Sequence, residues 1–162
     1  MNKMNKKGFT LVELLVVIVI IGLLSTLAIV ALNSARAKAR DAKRVSDIKQ
    51  LQTAYELYFN DQNKYPPAAT AIVLGEGTDC GTSQACDNLC NNATGFEYNT
   101  CSSGEVLMAL VPKDPDPAAS GGSGTYVHTS ATDAAYSIVF TLEGTVGGLS
   151  GTCTANQSGI TC

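Results

Sequence analysis

The sequence predicts an α+β protein in which one long N-terminal helix packs on a C-terminal antiparallel sheet. Residues 9–60 contain no proline, and their apolar residues fit a helix throughout. Residues 125–130, 134–142 and 151–155 are rich in Tyr, Val, Ile, Phe and Thr and are separated by turn-forming residues, which is typical of antiparallel strands. A helix followed by a run of strands, without alternation, favours α+β over α/β.

The first part of the helix, residues 9–32, is apolar all round. Its 24 residues are long enough to cross a hydrocarbon core of about 30 Å, and they contain one charged side chain, Glu13. A carboxylate inside a membrane span costs roughly 2.5–3.5 kcal/mol on insertion scales. No partner for Glu13 is evident within its own segment, so this residue is a functional candidate.

The second part of the helix, residues 33–60, is amphipathic. Its apolar residues recur at three- and four-residue steps and form a stripe that we expect to pack on a soluble domain: Ala35, Ala39, Ala42, Val45, Ile48, Leu51, Tyr55 and Tyr58. Asparagine and aspartate residues follow Asn60, and Pro66 disfavours helix at the residue before it. The helix is therefore predicted to end near Asn60.

The remaining residues, 61–162, are predicted to form a disulfide-rich globular head. Six cysteines fall in this half, an even number that indicates disulfides in an exported domain. The pair Cys153 and Cys162 would close the C-terminal end of the chain, and we expect Cys80, Cys86, Cys90 and Cys101 to pair among themselves. Zinc is less favoured, because the spacing lacks paired C-x2–4-C knuckles.

Within the head, residues 134–142 carry the clearest strand pattern. Tyr136, Ile138, Phe140 and Leu142 alternate with more polar residues and should face the helix stripe. Residues 67–103 are predicted to be a long connection, with a short helix near residues 84–89. Residues 106–111 form a strand or helical turn, residues 118–124 form a flexible linker, and residues 161–162 form a last edge strand.

Charge is distributed unevenly along the chain, whose net charge is −3. Nine Lys and Arg residues precede Tyr55 against three acids, whereas two lysines and eleven acids follow it. An acidic head has no basic patch for a nucleic acid, so we expect no direct nucleic-acid partner.

No set of residues in the sequence suggests catalysis, so we predict that the protein is not an enzyme and needs no cofactor. His128 is the one histidine, and a structural position in a strand is the favoured interpretation. Asp114, Asp116 and Asp133 are weak calcium candidates, because this ion prefers several oxygen ligands. An ordinary acidic turn rich in proline is the favoured alternative, so no metal is predicted.

Residues 6–14, KKGFTLVEL, resemble the processing motif of type IV pilins and type II secretion pseudopilins. The resemblance implies a pilin-like fold and a leader of residues 1–8 that a membrane peptidase removes by cutting between Gly8 and Phe9. It also implies N-methylation of Phe9 and a role for Glu13 in subunit assembly. A new ammonium at Phe9 would lie four residues from Glu13, on the same helical face.

By this resemblance, the protein is a structural subunit of a type IV pilus-like filament that assembles through residues 9–32. The implied partners are identical subunits, the prepilin peptidase, the assembly machinery and, before assembly, the membrane. The precursor would be a single-pass membrane protein with its C-terminus outside, and the assembled form a cell-surface filament. The resemblance to major pseudopilins slightly favours the calcium candidates, although the residues after Asp114-Pro115 depart from that pattern.

Two alternatives remain: a pseudopilin of a type II secretion system, and a membrane-tethered binding domain that never polymerises. One feature conflicts with the expected topology, because the cations that follow the span should favour the cytoplasm. We expect these side chains instead to meet lipid headgroups or acids on neighbouring subunits: Arg36, Lys38, Arg40, Lys43 and Arg44.

Overall fold

A computed structural model of the protein describes residues 8–75, 86–97, 101–119 and 125–162. The elements are α1 (Leu11–Gln62), β1 (Ala68–Val73), β2 (Asn88–Cys90), β3 (Phe96–Glu97), β4 (Val106–Met108), β5 (Val127–Thr132), β6 (Ala135–Val146), β7 (Leu149–Asn156) and β8 (Gly159–Thr161). This confirms the α+β class, with one long helix and antiparallel strands, and the pilin-like fold. The chain divides into two compact units, which meet in sequence between Arg36 and Ala37.

Helix α1 begins and ends two residues later than predicted. Thr10 precedes its first turn, and Asn63 follows its last turn in the left-handed region, with φ of 55°. The Asn63 backbone N–H donates a 2.8 Å hydrogen bond to the carbonyl of Phe59, which closes the end of the helix. Asparagine tolerates the left-handed region better than most residues, so it suits this position.

In the first unit, the apolar side chains of α1 are exposed. From Leu11 to Leu32 the large apolar side chains are about half exposed or more. At 1.5 Å per residue, these 22 residues span about 33 Å, which matches a bilayer core. By length and composition this helix can cross a membrane.

In the second unit, residues 37–162, five strands form a sheet in the order β1-β5-β6-β7-β8, and every neighbouring pair is antiparallel. A smaller antiparallel sheet has the order β3-β2-β4. The core joins one face of α1 to the large sheet, and its central members from the two sides are Ile48, Leu51, Tyr55, Tyr58, Tyr136, Ile138, Phe140 and Leu142.

Strand β6 confirms the predicted alternation, because Tyr136, Ile138, Phe140 and Leu142 are all buried and the residues between them are half-buried. Each such large side chain contributes roughly 1.5–3 kcal/mol by leaving water. The stripe on α1 is apolar only from Ile48 onwards. Ala39 and Ala42 are exposed, and the buried positions nearer the N-terminus are charged.

Strands β2 and β3 of the small sheet lie where the sequence predicted a connection, whereas β4 lies within residues 106–111, which were predicted to be a strand or helical turn. The prediction of a short helix near residues 84–89 is wrong at Asn88 and Leu89, which lie in strand β2. These two residues pair with Glu97 and Phe96 of β3. Residues 84 and 85 are outside the described residues. The predicted connection also contains β1, whose three alanines dilute the strand propensity of Thr70, Ile72 and Val73 and which pairs with β5.

Candidate functional site

The segment around the predicted cleavage site lies at the start of α1. Gly8 and Phe9 precede the helix, and the Phe9 side chain is 84 % exposed. Thr10 donates to Glu13 Oε2 twice, from its backbone N–H at 2.8 Å and from its hydroxyl at 2.7 Å. The Glu13 backbone N–H donates to the Thr10 hydroxyl at 3.3 Å. Thr10 and Glu13 therefore form a capping box.

The capping box corrects the sequence-based view that Glu13 has no partner in its own segment. A Thr followed three residues later by Glu is a readable signal for a helix start, and it was missed. Both donated bonds reach Oε2, and among the described residues Oε1 accepts no hydrogen bond. A carboxylate has about four acceptor positions, so Glu13 can cap its own helix and still receive a further donor.

The head contains a second notable group, which we call the Arg44 cluster: Arg40, Asp41, Arg44, Asp114, Asp116 and Glu143. Its centre is the fully buried guanidinium of Arg44. Arg44 Nε and Nη2 donate to the two oxygens of Asp114 at 2.7 and 2.8 Å. Arg44 Nη1 donates to Asp41 and to Glu143, each at 2.7 Å, and Nη2 also donates to the carbonyl oxygen of Asp116 at 3.0 Å.

These contacts use all five N–H groups of Arg44, so its buried charge is fully hydrogen-bonded. Burial acts to lower the pKa of Arg44, but the bonds to Asp114, Glu143 and Asp41 raise it above its ordinary value. The planar guanidinium matches the two oxygens of Asp114 in a bidentate pair, which a lysine could not reproduce. The cluster thereby ties α1 to the turn that carries Asp114 and to strand β6.

Strand β6 presents Glu143 to the cluster through an irregularity in its pairing with β7, between Thr141 and Thr145. The freed backbone N–H groups of Glu143 and Gly144 donate to the two oxygens of Asp41 at 3.0 and 2.8 Å. Arg40 donates to both oxygens of Glu143. The bonds from Arg40 and then from Arg44 lower the pKa of Glu143 to about 2.

The core beyond the cluster is unusually aromatic and includes His128. Tyr55 lies edge-on to His128 and to Tyr136, with ring centroids 5.1 and 4.8 Å apart. His128 Nε2 is 3.1 Å from the carbonyl oxygen of Pro66, and its other ring nitrogen has no hydrogen-bond partner among the residues that the structure describes. Burial lowers the pKa of His128 to about 4, so the ring is neutral at pH 7. This placement matches a structural histidine.

Comparisons with known proteins agree with the N-terminal motif. A family model described as a prokaryotic N-terminal methylation motif matches residues 3–29. Type II secretion system core protein G of Aeromonas hydrophila is 36 % identical over 116 residues, which cover 71 % of each chain. The chain belongs to the type IV pilin and type II secretion pseudopilin family.

Other members of this family match over different lengths. The core protein G of Vibrio cholerae is 34 % identical over 116 residues, 71 % of this chain and 69 % of the relative. The type IV major pilin protein PilA of Myxococcus xanthus is 33 % identical over 68 residues, 42 % of this chain and 31 % of the relative. No solved structure matches with significance. These relatives are named as a secretion-system core protein and a major pilin, not as enzymes.

In this pilin-family chain, the five cysteines that the structure describes are in disulfides. Cys153 is bonded to Cys162, the pair expected from the sequence, and it joins strand β7 to the residue that follows β8. Cys90 is bonded to Cys101, and Cys86 is also in a disulfide. Cys80 lies outside the described residues.

The calcium candidates do not form an open oxygen site. Both oxygens of Asp114 accept from Arg44, and Asp114 Oδ1 also accepts the backbone N–H of Asp116 at 2.8 Å. Asp133 is an exposed residue of the β5–β6 turn. Its carbonyl oxygen accepts a hydrogen bond from the backbone N–H of Tyr65. Across residues 8–75, 86–97, 101–119 and 125–162, no group of three or more His, Cys, Asp or Glu side chains is arranged to hold a metal ion.

The basic residues after the span also differ from expectation. Arg40 and Arg44 meet acids of their own chain, so the expectation of lipid headgroups or neighbouring subunits is wrong for these two. The i,i+3 spacing of Asp41 and Arg44 was a local signal for a pair. The pairing of Arg44 with Asp114 and Glu143, 70 and 99 residues away, depends on the tertiary fold and had no signal in a single sequence.

Proposed function

We propose that this chain is a structural subunit of a type IV pilus-like filament, with no enzymatic activity of its own. It is made as a membrane-anchored precursor, cut between Gly8 and Phe9, and joined to identical copies through residues 9–32. The observation that carries the proposal is the apolar first part of α1, residues 11–32, whose large side chains are exposed and which bears one acid, Glu13, near its start.

The apolar surface supports storage in a membrane followed by packing against other copies. Lipid tails are about as apolar as leucine, so moving this helix from lipid into a bundle gains little from the hydrophobic effect. Packing and charge pairing must then favour assembly. The position of Glu13 provides such a charge.

The capping box suggests how the Glu13 carboxylate can serve both the membrane-anchored precursor and the assembled filament. Glu13 Oε2 is engaged by Thr10, and this bond pattern needs only Thr10 and Glu13 themselves. Cleavage after Gly8 creates an ammonium on Phe9, and Oε1 can accept from the ammonium of a neighbouring copy. In a dry bundle such a pair is strong, because few solvent dipoles compete with it.

Glu13→Ala tests the proposal. We expect the variant to be cut normally but to enter filaments at a sharply reduced level. Glu105→Ala removes an exposed acid of the head and is the matched control, which should assemble normally. Filament yield is measured from sheared surface material, and cleavage by N-terminal sequencing. Normal filament yield from Glu13→Ala would refute the pairing role.

N-terminal sequencing also separates polymerisation from a simple membrane tether. A mature chain that starts at a methylated Phe9 supports the filament subunit. Membrane-resident protein that keeps Met1 and its lysine-bearing leader would instead support a binding domain that never polymerises.

A pseudopilin of a type II secretion system is the second candidate. Its support is the 116-residue similarity to relatives named as type II secretion core protein G, because a match of that length extends beyond the 52-residue helix into the head. Electron microscopy of sheared surface material, with mass spectrometry of its main band, distinguishes the two. Long surface filaments made of this chain support a pilus, and their absence from secretion-competent cells supports a pseudopilus.

A further inference from the structure

The strongest unexplained feature of the head is a buried cation, Arg44, that takes both carboxylate oxygens of the calcium candidate Asp114 and further oxygens from Asp41, Glu143 and the Asp116 carbonyl. We infer that Arg44 supplies inside the head the positive charge that these carboxylates would otherwise take from a divalent cation, so that the head folds without calcium. This inference concerns the folded head, and it holds whether or not the chain polymerises.

Arg44 already occupies the space between these oxygens. Four residues direct five oxygen contacts at Arg44: two from Asp114, one each from Asp41 and Glu143, and the carbonyl of Asp116. These N–O distances are 2.7–3.0 Å, so the guanidinium fills the space between the oxygens. Calcium needs six to eight oxygens at about 2.3–2.6 Å, and it could reach these only by displacing Arg44.

The charge balance of the Arg44 cluster also depends on Arg44. The Arg44 cluster holds four carboxylates and two guanidinium groups, and Arg44 and Asp41 are both almost completely buried. Removing Arg44 would leave four carboxylates with Arg40 alone. Buried like charges cannot stay ionised together without a counter-ion. The vacated position would then be lined by hard oxygen ligands from Asp41, Asp114, Glu143 and the Asp116 carbonyl, the ligand type that calcium prefers.

The inference predicts opposite calcium responses for two forms of the protein. The full chain is purified in detergent, and its thermal unfolding is followed by circular dichroism in EDTA and in millimolar calcium chloride. For the natural sequence we expect the same Tm in both. A Tm that rises in calcium, with a rise that Asp114→Asn abolishes, would overturn the inference.

Arg44→Ala should lower the Tm in EDTA by about 10 °C or more, because a broken buried ion pair is among the costliest single changes. Calcium should then raise the Tm of this variant by several degrees. Magnesium should raise it less, because magnesium demands a stricter octahedral geometry. The double variant Arg44→Ala/Asp114→Asn should not respond. Lys113→Ala removes the exposed cation next to Asp114 and should match the natural protein in both conditions.

If Arg44→Ala is unfolded in EDTA, we expect calcium to restore its folded spectrum on refolding. Arg44→Lys is the second variant, since it keeps the charge but loses the bidentate geometry. It should have an intermediate Tm and remain indifferent to calcium. If calcium neither raises the Tm of a folded Arg44→Ala protein nor restores the folded spectrum of an unfolded one, the inference that Arg44 takes the place of calcium is contradicted.

Discussion

Mild acid should destabilise the head through protonation of His128. His128 is fully buried, and its pKa is about 4 in the folded protein against 6.5 in a solvated chain. Between these values the unfolded chain binds a proton that the folded head does not bind. Stability is therefore complete above pH 6.5 and is lost as the pH falls towards 4.

The magnitude follows from the size of the shift. Each pKa unit corresponds to about 1.4 kcal/mol, so a shift from 6.5 to about 4 gives roughly 3 kcal/mol between neutral and acid pH. Against a typical unfolding free energy of about 5–15 kcal/mol, this is a large fraction. Urea titrations of the full chain in detergent, at pH values from 7 to 4, measure it directly.

His128→Phe is the matched variant, because the ring already packs against Tyr55 and Phe96 and a phenyl group suits those neighbours. We expect it to be less stable at pH 7, since the carbonyl of Pro66 loses its donor, but to keep that stability down to pH 4. The pKa of Glu143 falls from 4.5 to about 2 on folding, so its contribution is lost at lower pH, and the two windows overlap only between about 4.5 and 4. An equal loss of stability from pH 7 to 4 in both proteins would refute the reasoning.

Three further predictions concern the disulfide, the core and the capping box. Replacing Cys153 and Cys162 by serine should cost about 2–3 kcal/mol in urea unfolding, as expected for a short loop of nine residues, and no loss would show that the bridge is dispensable. Phe140→Ala should cost about 3–5 kcal/mol by leaving a cavity, whereas Leu110→Ala, at a side chain 77 % exposed, should change stability by less than about 0.5 kcal/mol. Thr10→Val should destabilise the start of α1 by about 1 kcal/mol, seen as faster amide hydrogen exchange in its first turn, and unchanged exchange there would contradict the cap.

The elements with a strong local pattern could be predicted from the sequence. The absence of proline and the spacing of Ile48, Leu51 and Tyr55 identified the long helix, and the alternation in β6 identified the strand that packs on it. These signals are local, because each arises from the two periodicities of helix and strand. Their agreement with the structure reflects burial of one face.

The elements that depend on distant partners could not be predicted in the same way. Strand β1 contains three alanines among its six residues and pairs with the distant β5. Strand β2 pairs with β3 and, beyond the Cys90–Cys101 disulfide, with β4. The Arg44 cluster is the clearest case at the level of a site. Its partners lie up to 103 residues apart, and no periodicity in the sequence relates them.

The Arg44 cluster has a consequence for how the polypeptide keeps its orientation. While the chain is unfolded, Arg40 and Arg44 belong to a run of positive charges that favours retention on the inner side. Folding binds both guanidinium groups to Glu143, Asp114 and Asp41. Under the proposed topology, a head that folds outside thereby neutralises the charges that opposed its export. Under this topology, the head could move back across the membrane only after the seven hydrogen bonds donated by Arg40 and Arg44 had been broken. Folding would therefore oppose backward movement of the chain.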